Sequence, residues 1–517
     1  MSDYSYKQCS IEKMFFGVSK AIIKFRYSFI ASLITGFLTY MFAFTNKLVN
    51  HDEVIGLFGK GSGLSSGRWA LDFMQYIFPN YSMPWIYGAI SILLIAFASC
   101  IIVSVFDIKN KLLQILLSGA IISFPSLVGT FSYMFTASSY VLAFLLSVVS
   151  FYLFTKDNWY YNLLGIIPSV ISLGIYQSYI SVTASLMLVF LLKEIFYSDK
   201  PFIKIFKKGI FFLIELGVSL ITYYLILQLL LHVTGTELNT YASAGTASDA
   251  SIIQKVISAY LGFVDIILNR EFNLITTLTS RFLHLIMLFA SIVLAFCVWL
   301  RLDLSKKILS VFIVVLLPLS INCMYLFSTE SSIHTLVLYS FIALYVLFAL
   351  LLDNINFLES QSITKKIYIR TTKEVVTWCM AVVMMINMYI GNAVYLRMYL
   401  CYENMYGYYS SVMTLAKSVP GFDASSKIAL VGRAGNTLHF HTSFDSSSTD
   451  ITGTHGINVN SYTREDFIRN YIGTEIPFAN EYEIEEIKKT AEYSEMPIYP
   501  YYGSIKKIND YVVVKFE

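Results

Sequence analysis

The sequence predicts a polytopic α-helical membrane protein of about 11 transmembrane helices, followed by a small C-terminal α/β domain. Three observations carry this. Of the 517 residues, 56% are hydrophobic and only 14% are charged, where a soluble chain carries roughly 25% charged residues. The mean hydropathy is +0.62, and the apolar residues fall in runs of about 20, the length that crosses a bilayer. The connections between runs alternate in Lys and Arg content, as the positive-inside rule requires of successive loops.

Residues 1–26 hold Lys7, Lys13, Lys20, Lys24 and Arg26 and are expected in the cytoplasm, with a short surface helix over 14–23. The first apolar run, 27–45, lacks a small-residue cleavage signature and reads as a retained helix, not a signal peptide. It leads to an outer loop, 46–83. The second span is 84–106, with Pro84 suited to its first turn. A basic turn follows at 107–111. The third span, 112–131, contains Pro125 and should kink there. The fourth ends near Phe154. Residues 163–192 carry no charge for about 30 positions, too long for one span, so we divide them at Tyr176-Gln177-Ser178-Tyr179 into a fifth and a sixth. The strongly basic 193–208 then falls inside, in agreement with the charge rule.

The seventh span is 210–233. The outer segment 234–276 follows and includes 251–268, whose apolar residues recur at helical spacing as in an interfacial helix. Spans at 277–299, 308–327, 336–352 and 375–395 complete the set. Glu215 enters the seventh span near its cytoplasmic end, close enough to snorkel. Residues 396–517 are polar, with strands expected at KIALVG (427–432) and YVVVKF (511–516) and helices at 402–417, 464–471 and 483–493. The expected organisation is a cytoplasmic segment 1–26, a transmembrane unit 27–395 and an extracytoplasmic α/β domain 396–517. Six scattered cysteines give neither a disulfide framework nor a zinc site.

The residues able to do chemistry gather in the 46–83 loop, NHDEVIGLFGKGSGLSSGRWALDFM. Asp52 and Glu53 follow Asn50, a fair N-cap, and acids suit a helix's first turn. The same start would fix a carboxylate at the membrane surface as a general base. Lys60 and Arg68 flank a Gly/Ser-rich stretch that matches no nucleotide-binding pattern. Basic residues in a short outer loop need a reason, and an anionic phosphate supplies one, which Arg grips bidentately. From Arg68 to Phe78 the pattern is amphipathic, with Arg68, Asp72 and Gln75 on one face and Trp69 and Phe73 on the other. Tyr176 and Gln177 stand at a helix turn, where packing and substrate hydrogen bonding are both open. Glu330 and His334 read as solvated. His439 and His441 alternate as on a surface strand.

The loop "NHDE…SGRW" (Asn50–Glu53, Ser66–Trp69), the YQSY turn and the small C-terminal domain with its KIALVG strand resemble the bacterial membrane glucosyltransferases that decorate O-antigen and related surface polysaccharides. The family includes the serotype-converting enzymes. The resemblance implies a type C glycosyltransferase fold and a polyprenyl-phosphate sugar donor. It implies that Asp52 deprotonates the acceptor hydroxyl, with Glu53 second or assisting. Arg68 and Lys60 would neutralise the departing lipid phosphate. Trp69, Asp72, Tyr176 and Gln177 are the candidate substrate contacts. It leans against a metal, and no other cofactor is expected. The implied partners are a polyprenyl-phosphate-linked sugar, a lipid-linked or surface glycan acceptor and membrane lipids, with no nucleic acid. The implied place is the bacterial cytoplasmic membrane.

Two other classes compete. A lipid-linked-glycan flippase would want polar residues along several spans, but here charge concentrates in the loops. A non-catalytic polysaccharide-assembly protein would bind glycan without turning over a donor.

Overall fold

The computed structural model describes residues 20, 22–55, 63–79, 81–239, 251–268, 274–275, 277–327, 333–355, 363–423, 425–433, 451–454 and 463–517. For residues 55 and 363–368 only the backbone is described. Lys60, Glu330, His439, His441 and the segment 1–19 lie outside the described residues.

The chain is a helical membrane protein. Its elements begin with α1 (Arg26–Thr45), α2 (His51–Ile55), α3 (Trp69–Met74) and α4 (Pro84–Phe106). There follow α5 (Lys111–Ile122), α6 (Pro125–Ser132), α7 (Met134–Phe154), α8 (Trp159–Ile175) and α9 (Ile180–Tyr197). Then come α10 (Phe202–Thr234), α11 (Ile252–Leu268), α12 (Leu278–Trp299), α13 (Leu304–Ile321), α14 (Ile342–Asp353) and α15 (Ile363–Lys417). Among the described residues, ten helical stretches are long and apolar enough to cross a bilayer, and α8 is a shorter apolar helix. The stretch Thr335–Asp353 has 94% of its apolar window buried and Phe202–Thr234 has 22%. The first is therefore a central helix and α10 a peripheral one.

The break between α5 and α6 shows how the bundle tolerates irregular backbone. Pro125 offers no N–H, so carbonyls one turn earlier lose their helical donor. Tyr339 Oη donates to the Ile121 carbonyl at 2.9 Å, and Tyr40 Oη donates to that of Ile122 at 2.7 Å. Both tyrosines are buried, as a satisfied backbone in an apolar surround demands. The break sets α6 on a new course that ends at Tyr133, immediately before α7. Pro125 thus separates two helices, where the sequence suggested a kink within one.

The charge-free stretch does divide where expected. α8 ends at Ile175, a 3-10 turn covers Gln177–Tyr179, and α9 begins at Ile180. Two expectations need correction. The helices expected at 375–395 and 402–417 are one, because α15 runs unbroken through residue 396 for 55 residues. The sequence LRMYLC at 396–401 has no Gly or Pro to stop a helix. One rod of roughly 80 Å at 1.5 Å per residue therefore joins the bundle to the C-terminal domain. Nor does Glu215 snorkel: it is buried on α10, and both carboxylate oxygens lack a hydrogen-bond partner among the described residues.

The C-terminal domain is a three-stranded sheet of order β1-β3-β2 with short helices α16 (Arg464–Phe467), α17 (Glu481–Lys488) and α18 (Ala491–Ser494). Strand β1 (Lys427–Val431) pairs parallel with β3 (Tyr511–Lys515), in register Lys427 with Tyr511. Strand β2 (Ile505–Ile508) pairs antiparallel with β3. Central β3 is buried on both faces, which explains its run of three valines. Ile428, Leu430, Val512 and Val514 pack on Tyr409, Val412 and Met413 of α15. Ala429, Val431 and Val513 pack on Ile487 and Met496.

Candidate functional site

The two acids of the 46–83 loop have opposite surroundings. Asn50 begins α2, its Oδ1 accepting the Asp52 N–H at 2.9 Å. Its Nδ2 donates to the Gly453 carbonyl at 2.7 Å, so the cap is itself anchored on the turn 451–454, which packs on the bundle. Within α2, Glu53 points into the protein and is fully buried. Its carboxylate accepts the Phe135 N–H at 3.2 Å, the Ser82 hydroxyl, and the Lys47 ammonium at 3.4 Å. Asp52 points the other way. Its side chain is 48% exposed, lies 3.4 Å from His51 Nε2, and lines a cleft.

The last residue of α2 with a described side chain, Val54, is buried among Tyr409, Val412 and Phe467 of the C-terminal domain. Asn470 donates to the Val54 carbonyl at 3.0 Å. The carboxylate-bearing turn is thus held between the bundle and the C-terminal domain.

The second half of the loop is pinned by hydrogen bonds that fix where Arg68 starts. Asp72 accepts the N–H groups of Gly63 at 2.7 Å and Leu64 at 2.9 Å. The Arg68 N–H donates to the Gly63 carbonyl at 2.8 Å. Gln177 donates to the Ser66 carbonyl at 3.2 Å, and Tyr223 Oη to that of Gly67 at 2.9 Å. Gly67 has φ +76°, and a Cβ there would stand 2.8 Å from Gln177 Nε2, so this position needs glycine on both counts. The guanidinium of Arg68 then donates from Nη1 to Tyr140 Oη at 2.9 Å and sits 5.1 Å from the centre of the Tyr176 ring. Those two rings stack on each other, 4.5 Å apart and 15° from parallel. The aromatic pair forms a platform that orients the cation.

Asp52, Arg68, Tyr133, Tyr140, Tyr176, His334 and Thr452 line one cleft of about 240 Å³. His334 sits at its wall, immediately before the 3-10 turn Thr335–Phe341. Burial, aided by the positive charge of Arg68, pushes its pKa down to about 4, so it is neutral at pH 7. Burial raises the Tyr176 phenol, with Arg68 opposing. The site therefore presents a water-accessible carboxylate, a guanidinium held on aromatic rings and a neutral imidazole.

Of the sequence candidates, Asp52, Arg68 and Tyr176 meet in this cleft. Glu53, Trp69, Asp72 and Gln177 do not line it. Glu53 ties α2 to α7, while Asp72 and Gln177 hold the Gly63–Arg68 loop. Trp69 packs on α8, where a Cβ at Gly174 would stand 2.7 Å from its Cε2. The expected amphipathic helix over 68–78 is the six-residue α3, too short to present an extended polar face. His334, expected in solvent, is instead a wall of the cleft.

Tyr133, Tyr140 and Thr452 were not singled out in the sequence. Nothing local marks them. Thr452 arrives from more than 300 positions beyond Tyr140 in a turn whose Ile451 is buried in the bundle core, and Thr335 donates its N–H to Thr452 Oγ1 at 3.3 Å. Among the described residues, no group of three or more His, Cys, Asp or Glu side chains is placed to hold a metal ion.

Residues 41–350, more than half of the chain, match the family described as Glucosyl transferase GtrII. The match spans Asp52, Arg68, Tyr140, Tyr176 and His334, and ends before Thr452. No curated protein and no solved structure matches. The chain belongs to the GtrII glucosyl transferase family, the one its loop resembles.

Proposed function

We propose that this glucosyltransferase moves glucose, or a similar hexose, from a polyprenyl-phosphate donor to a lipid-linked or surface polysaccharide such as O-antigen, at the outer face of the cytoplasmic membrane. Asp52 is the general base and Arg68 holds the donor phosphate. The observation that carries this reading is the shared cleft: an exposed carboxylate and a pre-oriented guanidinium line the same small cavity. Asp52 takes the proton of the acceptor hydroxyl as its oxygen attacks C1 of the sugar. The C1–O bond to phosphate breaks, and the polyprenyl phosphate leaves with that electron pair. Arg68 offers two parallel N–H groups to the phosphate oxygens, the arrangement that stabilises developing charge. A single displacement of this kind inverts the anomeric centre. Neutral His334 can hydrogen-bond a sugar hydroxyl without adding charge, and the Tyr140–Tyr176 platform offers an aromatic face.

The family membership and the concentration of charge in the loops support enzyme over flippase. The test is purified protein with polyprenyl-phosphate-glucose, following release of polyprenyl phosphate with and without glycan acceptor. Acceptor-dependent release that Asp52→Asn abolishes is the expected result. Absence of release with any hexose donor would overturn the reading.

A further inference from the structure

A second cavity, of about 470 Å³, lies at the end of the bundle opposite the cleft. Helix α7 connects the two. Phe135, Thr136 and Tyr140 in its first turns line the cleft, while Thr155, Lys156 and Asp157 just past its end line the second cavity. At 1.5 Å per residue these ends stand about 30 Å apart.

Five lysines face this cavity, Lys156, Lys200, Lys204, Lys207 and Lys208, against two acids, Asp157 and Glu194. Lys200 pairs with Glu194 at 2.6 Å and Lys208 with Asp157 at 3.7 Å. Among the described residues, Lys204 and Lys207 have no ion-pair partner. Both stand on the first turns of α10, whose N-terminus adds the positive end of its dipole. Leu191 and Ile205 line this cavity and also a second feature, an apolar groove of about 220 Å³ bounded by α9, α10 and α13. The groove opens beside the exposed side chains of Ile210, Leu213 and Phe312. At Gly209 the missing side chain keeps the junction clear: the nearest side-chain atom, Leu191 Cδ1, is 3.4 Å from where a Cβ would sit.

We propose that this cavity and groove together bind an anionic phospholipid, with its phosphate among Lys204, Lys207 and Lys208 and one acyl chain in the groove. The charge excess selects an anion. The adjoining apolar channel selects an anion that carries a hydrocarbon chain. Basic pockets between membrane helices take such headgroups.

The experiment uses the full chain, delipidated in detergent, with lipid binding followed by native mass spectrometry and thermal stability. Cardiolipin is expected to bind and to raise the melting temperature, while phosphatidylethanolamine and inorganic phosphate at equal concentration leave it unchanged. The double variant Lys204→Gln/Lys207→Gln is expected to weaken cardiolipin binding at least tenfold. Gly209→Leu, which fills the groove and leaves every charge in place, should weaken it similarly. Because Lys204 and Lys207 are exposed, the double variant should fold, and it decides the question if Gly209→Leu does not. The proposal is overturned if phosphate alone reproduces the stabilisation, if phosphatidylethanolamine binds as tightly, if polyprenyl phosphate binds where cardiolipin does not, or if the double variant binds cardiolipin normally.

Discussion

Asp52 and Glu53 are adjacent, chemically alike and opposite in environment, so removing each charge should give opposite phenotypes. Glu53 is fully buried and accepts three hydrogen bonds, one from Lys47, whose side chain is 29% exposed. In Glu53→Gln an amide oxygen can still serve Ser82 and Phe135, but an NH2 group then faces an ammonium. Loss of one partner of a fully buried pair costs about 3–5 kcal/mol. Lys47 can turn towards water, so the expected cost is nearer 1–3 kcal/mol. Asp52→Asn replaces a half-exposed side chain with an isostere, and such changes stay within roughly 0.5 kcal/mol. Its cost should fall on turnover instead: a general base contributes about 10²–10⁴-fold, or roughly 3–5 kcal/mol of barrier.

The assay pairs chemical denaturation in detergent with acceptor-dependent release of polyprenyl phosphate. We expect Asp52→Asn to be stable and inactive, and folded Glu53→Gln to be less stable and within about tenfold of wild-type turnover. An Asp52→Asn protein keeping more than a tenth of wild-type turnover would refute the base assignment. So would a Glu53→Gln protein of normal stability that is the less active of the two.

Arg68→Lys should keep a positive charge but lose the fork and its seat on Tyr176. We expect donor KM to rise and kcat to fall, together at least tenfold in kcat/KM, with Arg68→Ala worse, as steady-state kinetics would show. Asp72→Ala leaves two backbone N–H groups without their acceptor, so a loss of about 1–3 kcal/mol in stability should accompany a raised donor KM. The sign of the His334 effect on pH dependence follows from its depressed pKa. Between pH 6.5 and about 4 the unfolded chain binds a proton that the folded chain refuses, so stability is lost as pH falls through this window and is unaffected above it. His334→Gln should flatten that slope in denaturation measured from pH 4 to 7, and a slope unchanged by the substitution would place His334 elsewhere.

What could be read in advance divides along physical lines. The spans were legible because each needs only about 20 contiguous apolar residues, a local property. Asp52 and Arg68 were legible because charges beside long apolar runs are costly to place without purpose. The Tyr176–Gln177 turn was marked by polar residues in a charge-free run, but not its division of labour, one side chain under Arg68 and the other on the loop backbone. The rest of the cleft was hidden. Tyr133 and Tyr140 are two of 38 tyrosines, and others, such as Tyr40 and Tyr339, serve carbonyls at the helix break before Pro125. Residue type cannot separate these uses; only the fold does.

The C-terminal domain is where this hidden information bears on mechanism. Asn50 caps the turn that carries Asp52, and its other hydrogen bond goes to Gly453. Val54, two residues beyond Asp52, is buried in that domain's core, and Asn470 holds its carbonyl. Thr452, from the turn 451–454 that packs on the bundle, lines the cleft. Asp52, the proposed base, is therefore held by contacts from both ends of α15, the bundle and the sheet region that this one rod joins. Asn470→Ala removes a single clamp that touches the Val54 backbone and not the Asp52 side chain. We expect kcat to fall several-fold with donor KM and overall fold intact, because the loop carrying Arg68 is held by Asp72, Gln177 and Tyr223 and does not depend on Asn470. A change confined to KM would show that the domain acts on the donor and not on the base.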